Sequence, residues 1–165
     1  MRTGLFKSVL VVLSISLMSS MCSSDDDGNS NTNSQQISQV ENTVETGTWR
    51  VSNFVDSGQD ETDDFNGYDF TFSANGILTA TNGTTTYSGT WSVTGDDSDD
   101  DSSDDDGSSS NDDLDFNIFF SVPDTNDFED LNDDWDILSF TETTINLNDV
   151  SGGNGDIDIL TFVRN

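Results

Sequence analysis

The sequence predicts an all-β fold, an antiparallel up-and-down barrel of about eight strands. Three observations carry this. Apolar and aromatic residues alternate with polar ones over short segments, Asn-Gly turn signals separate neighbouring segments, and the domain shows no apolar face at helical spacing.

Taken in order, the first strand is expected over 49–55. Tyr68, Phe70 and Phe72 then alternate with Asp69 and Thr71, which marks a half-buried strand. The next spans 77–81, and Tyr87, Gly89, Trp91 and Val93 alternate through the fourth. Ala74-Asn75-Gly76 and Thr81-Asn82-Gly83 join the second, third and fourth strands as hairpins. Leu114, Phe116, Ile118 and Phe120 form the fifth alternating set, followed by strands over 135–140 and 143–147. Ile157, Ile159, Thr161 and Val163 form the last. A meander of this size closes into a barrel because closure removes exposed strand edges. The near copies Asp136-Ile137-Leu138-Ser139-Phe140 and Asp158-Ile159-Leu160-Thr161-Phe162 are read as paired strands of like burial. Ser151 to Asp156 is read as a hairpin loop.

Residues 1–21 have the anatomy of a signal peptide, with Arg2 and Lys7 ahead of the apolar run from Val9 to Met18. The run is too short for a permanent membrane span, which needs roughly 20 residues. Cys22 is the chain's one cysteine, so an internal disulfide is impossible, and its place after Ser19-Ser20-Met21 resembles a lipobox. That resemblance implies diacylglycerol on the thiol and a palmitate-type acyl chain, giving anchoring without a transmembrane helix. Ser23-Ser24-Asp25-Asp26-Asp27 resembles the acidic export signal of bacteroidete-type surface lipoproteins. It implies the outer membrane, with the domain exposed at the cell surface. Residues 22–45 are expected to be a lipidated, disordered tether because they offer almost nothing apolar to bury. The folded domain is 46–165.

Within that domain 95–113 interrupts the meander with Asp, Ser and Gly, and is expected to be a disordered acidic insertion. Ser102, Asp104, Asp106, Gly107 and Asp113 fall near the spacing of a calcium loop, so calcium is the one cofactor the sequence leaves open, at Asp104, Asp106 and Asp113. A solvated insertion is the plainer reading.

The formal net charge is −29, and removing residues 1–21 leaves Arg50 and Arg164 as the only cations. Such a field repels nucleic acid and favours divalent cations or basic partners. The chain has no histidine, and beyond the leader no lysine, so histidine-dependent nucleophilic catalysis, Schiff-base chemistry and histidine-bound zinc are excluded. No pair of carboxylates stands out for glycosidase chemistry, and the protein is read as not an enzyme.

Gly47-Thr48-Trp49 opens the first strand and Arg164 ends the last, and Gly89-Thr90-Trp91 repeats the motif in mid-domain. Over 47–165 the chain resembles bacterial lipocalin-like lipoproteins. The resemblance implies that Gly47, Trp49 and Arg164 close the barrel, with the arginine packed across the indole. It also implies a binder of a small apolar or amphiphilic ligand, lined by Phe70, Phe72, Trp91, Phe116, Phe119, Phe120 and Trp135. The alternative is a calcium-responsive surface interaction or adhesion module, with a packed barrel and a basic protein or surface glycan as partner. A narrow barrel can be filled or hollow, so periodicity leaves the choice open.

Overall fold

A computed structural model describes residues 30–95, 114–150 and 157–165. Helix α1 (Ser30–Val44) precedes nine strands, β1 (Trp49–Asp56), β2 (Gln59–Asp60), β3 (Asp69–Phe72), β4 (Ile77–Thr81), β5 (Thr86–Gly95), β6 (Leu114–Phe120), β7 (Asp133–Phe140), β8 (Thr144–Asp149) and β9 (Asp158–Arg164). Every sheet pairing is antiparallel, and β1 pairs with β9, which closes eight strands into a barrel with β2 as a short flap on β1. Apart from the β2 flap, neighbours in sequence are neighbours in the sheet, as an up-and-down meander requires.

The turns form where the sequence supplies backbone freedom. Gly76 and Gly83 take positive φ in the β3–β4 and β4–β5 turns. Gly89 answers to a different constraint: a Cβ there would lie 2.3 Å from the Phe119 carbonyl oxygen, so β5 and β6 approach this closely only with glycine.

Two gaps in the ladder are filled by side chains. β1 meets β3 at one pair, Trp49 opposite Phe70. Farther along, the Thr62 hydroxyl accepts from the Phe54 amide at 2.8 Å, standing in for a strand neighbour. Past the last β6–β7 pair, the Asn132 amide donates to the Phe120 carbonyl at 3.0 Å and accepts from the Phe120 N–H. Buried backbone groups at both gaps stay paired.

Three sequence expectations change. The stretch 30–44, read as part of a disordered tether, is helical in α1, with Val40 and Val44 fully buried and Ile37 packed against the core. Tertiary contact stabilises a segment whose composition is poor for helix. In β9 the inward face is Asp158, Leu160 and Phe162, while Ile157 and Ile159 are exposed, opposite to the alternation expected. Apolar residues occupy both phases of β9, so its register against β1 and β8 decides the face. The near copies at 136–140 and 158–162 are not paired with each other; β7 and β9 flank β8 from opposite sides. They also differ in phase, since Ile137 is buried where Ile159 is exposed, and Leu138 is exposed where Leu160 is buried.

Candidate functional site

One barrel end holds the start of β1 and the finish of β9, and here the closing residues do two jobs. The Arg164 guanidinium lies 4.8 Å from the centre of the Trp49 ring, a cation-π contact. The same side chain donates from Nη2 to the Thr43 carbonyl at 2.7 Å, and Trp49 Nε1 donates to the Val44 carbonyl at 2.8 Å. Both carbonyls belong to the last turn of α1, where backbone acceptors lack helical partners and a cation is favoured by the helix dipole. Gly47, at φ +82, turns the chain between helix and β1, and a Cβ there would lie 3.5 Å from the Arg164 stem. The helix is thereby fastened across this end, its other part lying against β5, where a Cβ added at Gly95 would meet Asn33 and Ile37.

At the opposite end the plug is aromatic. Phe65, from the short 3-10 turn Thr62–Phe65, and Phe128 and Leu131, from the β6–β7 connection, are buried. Phe128 contacts Phe65, Tyr68, Phe70, Tyr87 and Phe120, with ring centroids between 4.3 and 6.0 Å.

Between the plugs lie the residues expected to line a ligand cavity, and they pack against one another. Phe72 meets Trp91, Phe116 and Phe162 edge-on at 5.4 to 5.6 Å, and Trp91 stacks on Phe116. Phe70 contacts Phe162, Phe120 contacts Phe128, and Trp135 contacts Phe54. Trp135 also donates to the Leu131 carbonyl at 3.1 Å, and Trp91 to the Ser73 carbonyl at 3.0 Å, so neither indole N–H is left for a ligand. All six of Phe70, Phe72, Trp91, Phe116, Phe120 and Trp135 are buried core. Phe119 is not lining at all; it points outward, 56% exposed.

The polar features lie on the outside. Near the aromatic plug a cleft of about 170 Å³ is bordered by Asp56, Glu129, Asp130, Asp133 and Asp158. Burial pushes the Asp133 carboxyl up to about 6, helped by the charges of Asp149 and Asp134 and opposed by the Asp134 N–H that it accepts at 2.9 Å. Burial likewise raises Glu61 and Asp130, with the Asp56 charge the strongest repulsion on each. Asp158 accepts from the Ser57 N–H at 2.7 Å and holds the β1–β2 turn. These acids line a rim without converging: among the described residues no group of three or more is arranged to hold a metal ion.

The larger concavity, about 570 Å³, lies on the outer wall of β5, β6 and β7. Thr90, Ser92, Asn117, Phe119, Asp133 and Asp134 border it, so Asp133 stands at the junction of the two depressions.

Cys22 and the calcium candidates Asp104, Asp106 and Asp113 lie outside the described residues, as do 1–29, 96–113 and 151–156. Gly95, expected to begin the insertion, ends β5. No helix among the described residues is long and apolar enough to cross a membrane.

Comparison with known proteins yields no matching family model and no matching curated protein. Among solved structures, the crystal structure of a DUF4847 family protein from Bacteroides vulgatus ATCC 8482 is similar at 19% identity and a TM-score of 0.44. The match covers 76% of this chain and 97% of that one. At that level the likeness bears on neither identity nor function.

Three features escaped the sequence reading. Phe65 and Phe128 sit in irregular segments with no period to mark them. The outer groove was legible in part, because the alternation that buries Ile118 and Phe120 must turn Phe119 outward. For α1 the signal was the spacing of Ile37, Val40 and Val44 along one face.

Proposed function

We propose that this chain is a lipid-anchored outer-membrane surface protein whose packed barrel is a non-catalytic interaction module, engaging partners through its acidic exterior. One observation carries the choice over a small-ligand binder: the aromatic side chains available to line a cavity are in ring contact with one another, and both barrel ends are closed by α1 and by Phe128. A ligand of appreciable size would have to displace native packing, and interiors packed to crystal-like density resist that. The cell-surface address rests on the leader-like residues 1–21, Cys22 and the acidic string that follows.

The test is titration of the full chain, in a mild nonionic detergent, with the neutral apolar dye N-phenyl-1-naphthylamine and with palmitate. The expected outcome is neither saturable binding nor a rise in melting temperature. A stoichiometric complex that stabilises the fold, by about 2.7 kcal/mol at a hundredfold excess over Kd, would restore the ligand-binder reading. Metabolic labelling with an alkyne fatty acid checks the anchor: the label should be lost in Cys22→Ala.

A further inference from the structure

The outer wall of β5–β6–β7 is built in cross-strand rows. Thr90 stands opposite Phe119, with Ile77 of β4 opposite Thr90 on its other side. The next row is Ser92, Asn117 and Asp134, and the one after it Thr94, Asp115 and Asp136. Among the described residues Phe119 is the one aromatic ring more exposed than buried, and Ile77 beside its row is 40% exposed.

Charge on this wall has one sign. Asp115 and Asp136 are directly opposed on adjacent strands, an arrangement that destabilises a sheet when both are ionised. Asp134 lies one row away, and Asp133 closes the groove where it meets the acidic cleft. No lysine or arginine occurs between Arg50 and Arg164, so the chain carries no cation on these three strands.

We propose that this wall docks a basic segment of a partner protein, with an arginine or lysine side chain laid over the Phe119 ring and its charged head directed to Asp133 and Asp134. The partner's further cations meet Asp115 and Asp136. The proposal rests on the interaction-module reading and gives that module a face and a partner chemistry. Arginine suits the groove best, since its guanidinium plane stacks on an aromatic face while donating to carboxylates. Anionic partners are repelled by the same field, and a neutral glycan, which can donate hydroxyls to these carboxylates, leaves their charge unneutralised. The elevated proton affinity of Asp133 adds a pH dependence: acidification below about 6 protonates a carboxyl the cation needs, so binding weakens.

The experiment uses the full chain in nonionic detergent and calorimetric titration with an arginine-rich octapeptide, its citrulline counterpart and a neutral oligosaccharide, each at low and high salt. The arginine peptide should bind saturably and the citrulline peptide should not. Phe119→Ala and Phe119→Leu should each weaken binding about tenfold, between the values of an exposed and a desolvated cation-π contact, while Phe119→Tyr retains it. Asp134→Asn should weaken it about threefold, and Glu142→Gln, on the distant β7–β8 turn, should leave it unchanged. Insensitivity to Phe119→Ala, or equal loss in Asp134→Asn and Glu142→Gln, means diffuse attraction and overturns the site. Phe119-dependent binding of the oligosaccharide without the peptide overturns the choice of partner. Binding of neither overturns the docking face, and the naphthylamine titration decides the packed-barrel reading independently of all three.

Discussion

Removing the Arg164 side chain tests whether α1 belongs to the barrel. Its guanidinium covers the Trp49 ring at 4.8 Å, worth roughly 0.5–2 kcal/mol. Its bond to the Thr43 carbonyl is charge-assisted at 2.7 Å, worth roughly 1.5–3 kcal/mol. The two share one side chain and overlap, so Arg164→Ala should cost about 3 kcal/mol, less than their upper sum. For a domain of this size that lowers the melting temperature by about 10 °C. Arg164→Lys keeps the charge and loses the planar fork, so it should recover only part. The measurement is urea unfolding followed by tryptophan fluorescence and far-ultraviolet circular dichroism, in a double-mutant cycle with Val44→Ala, which loosens the helix from the core. Coupling of about 1 kcal/mol is expected, together with loss of helical signal in Arg164→Ala before global unfolding. A cost below about 0.5 kcal/mol, or full additivity with Val44→Ala, would refute the latch.

Three other outcomes follow from the same geometry. Phe128→Ala removes a ring with five aromatic neighbours and should cost about 3–5 kcal/mol by chemical denaturation, while creating a space that lets N-phenyl-1-naphthylamine bind. Thr62→Val leaves the Phe54 amide without its acceptor and should cost about 1–3 kcal/mol, visible as faster hydrogen exchange at that amide. Asp133 binds its proton more tightly folded than unfolded, so its contribution is present in full below its ordinary value of 3.8 and is lost as pH rises through about 6. Melting temperature should therefore rise on acidification from 7 toward about 4, with Glu61 and Asp130 acting in the same direction, and Asp133→Asn should flatten part of that rise.

What could be read in advance was whatever repeats. Alternation in 69–72, 86–95 and 114–120 and the Asn-Gly turns follow from local geometry, and the barrel built from them has the expected strand number and connectivity. The residues that plug the barrel's ends obey no local rule. Phe65 and Phe128 are placed by the connections that carry them, and α1 is held by Arg164, 121 residues from the Thr43 carbonyl that it caps. Whether the barrel's ends are open was thus decided by segments without period. For β9 the string Asp-Ile-Leu-Thr-Phe permits either face, and only long-range pairing selects one. The outer groove combines Phe119, visible from its phase, with Asp115, Asp134 and Asp136, whose juxtaposition needs the β6–β7 register.

The latch between Arg164 and the end of α1 also sets an order of events in time. Its partners are 121 residues apart in sequence, and the Asn165 N–H adds a bond to the Thr48 carbonyl at 2.9 Å. A polypeptide still being made holds every strand before it holds β9, the one that joins the sheet's two edges. Non-local closure of this kind is slow. Until β9 arrives the sheet stays open and the helix uncapped, so completion of the barrel and fastening of α1 wait together on one strand.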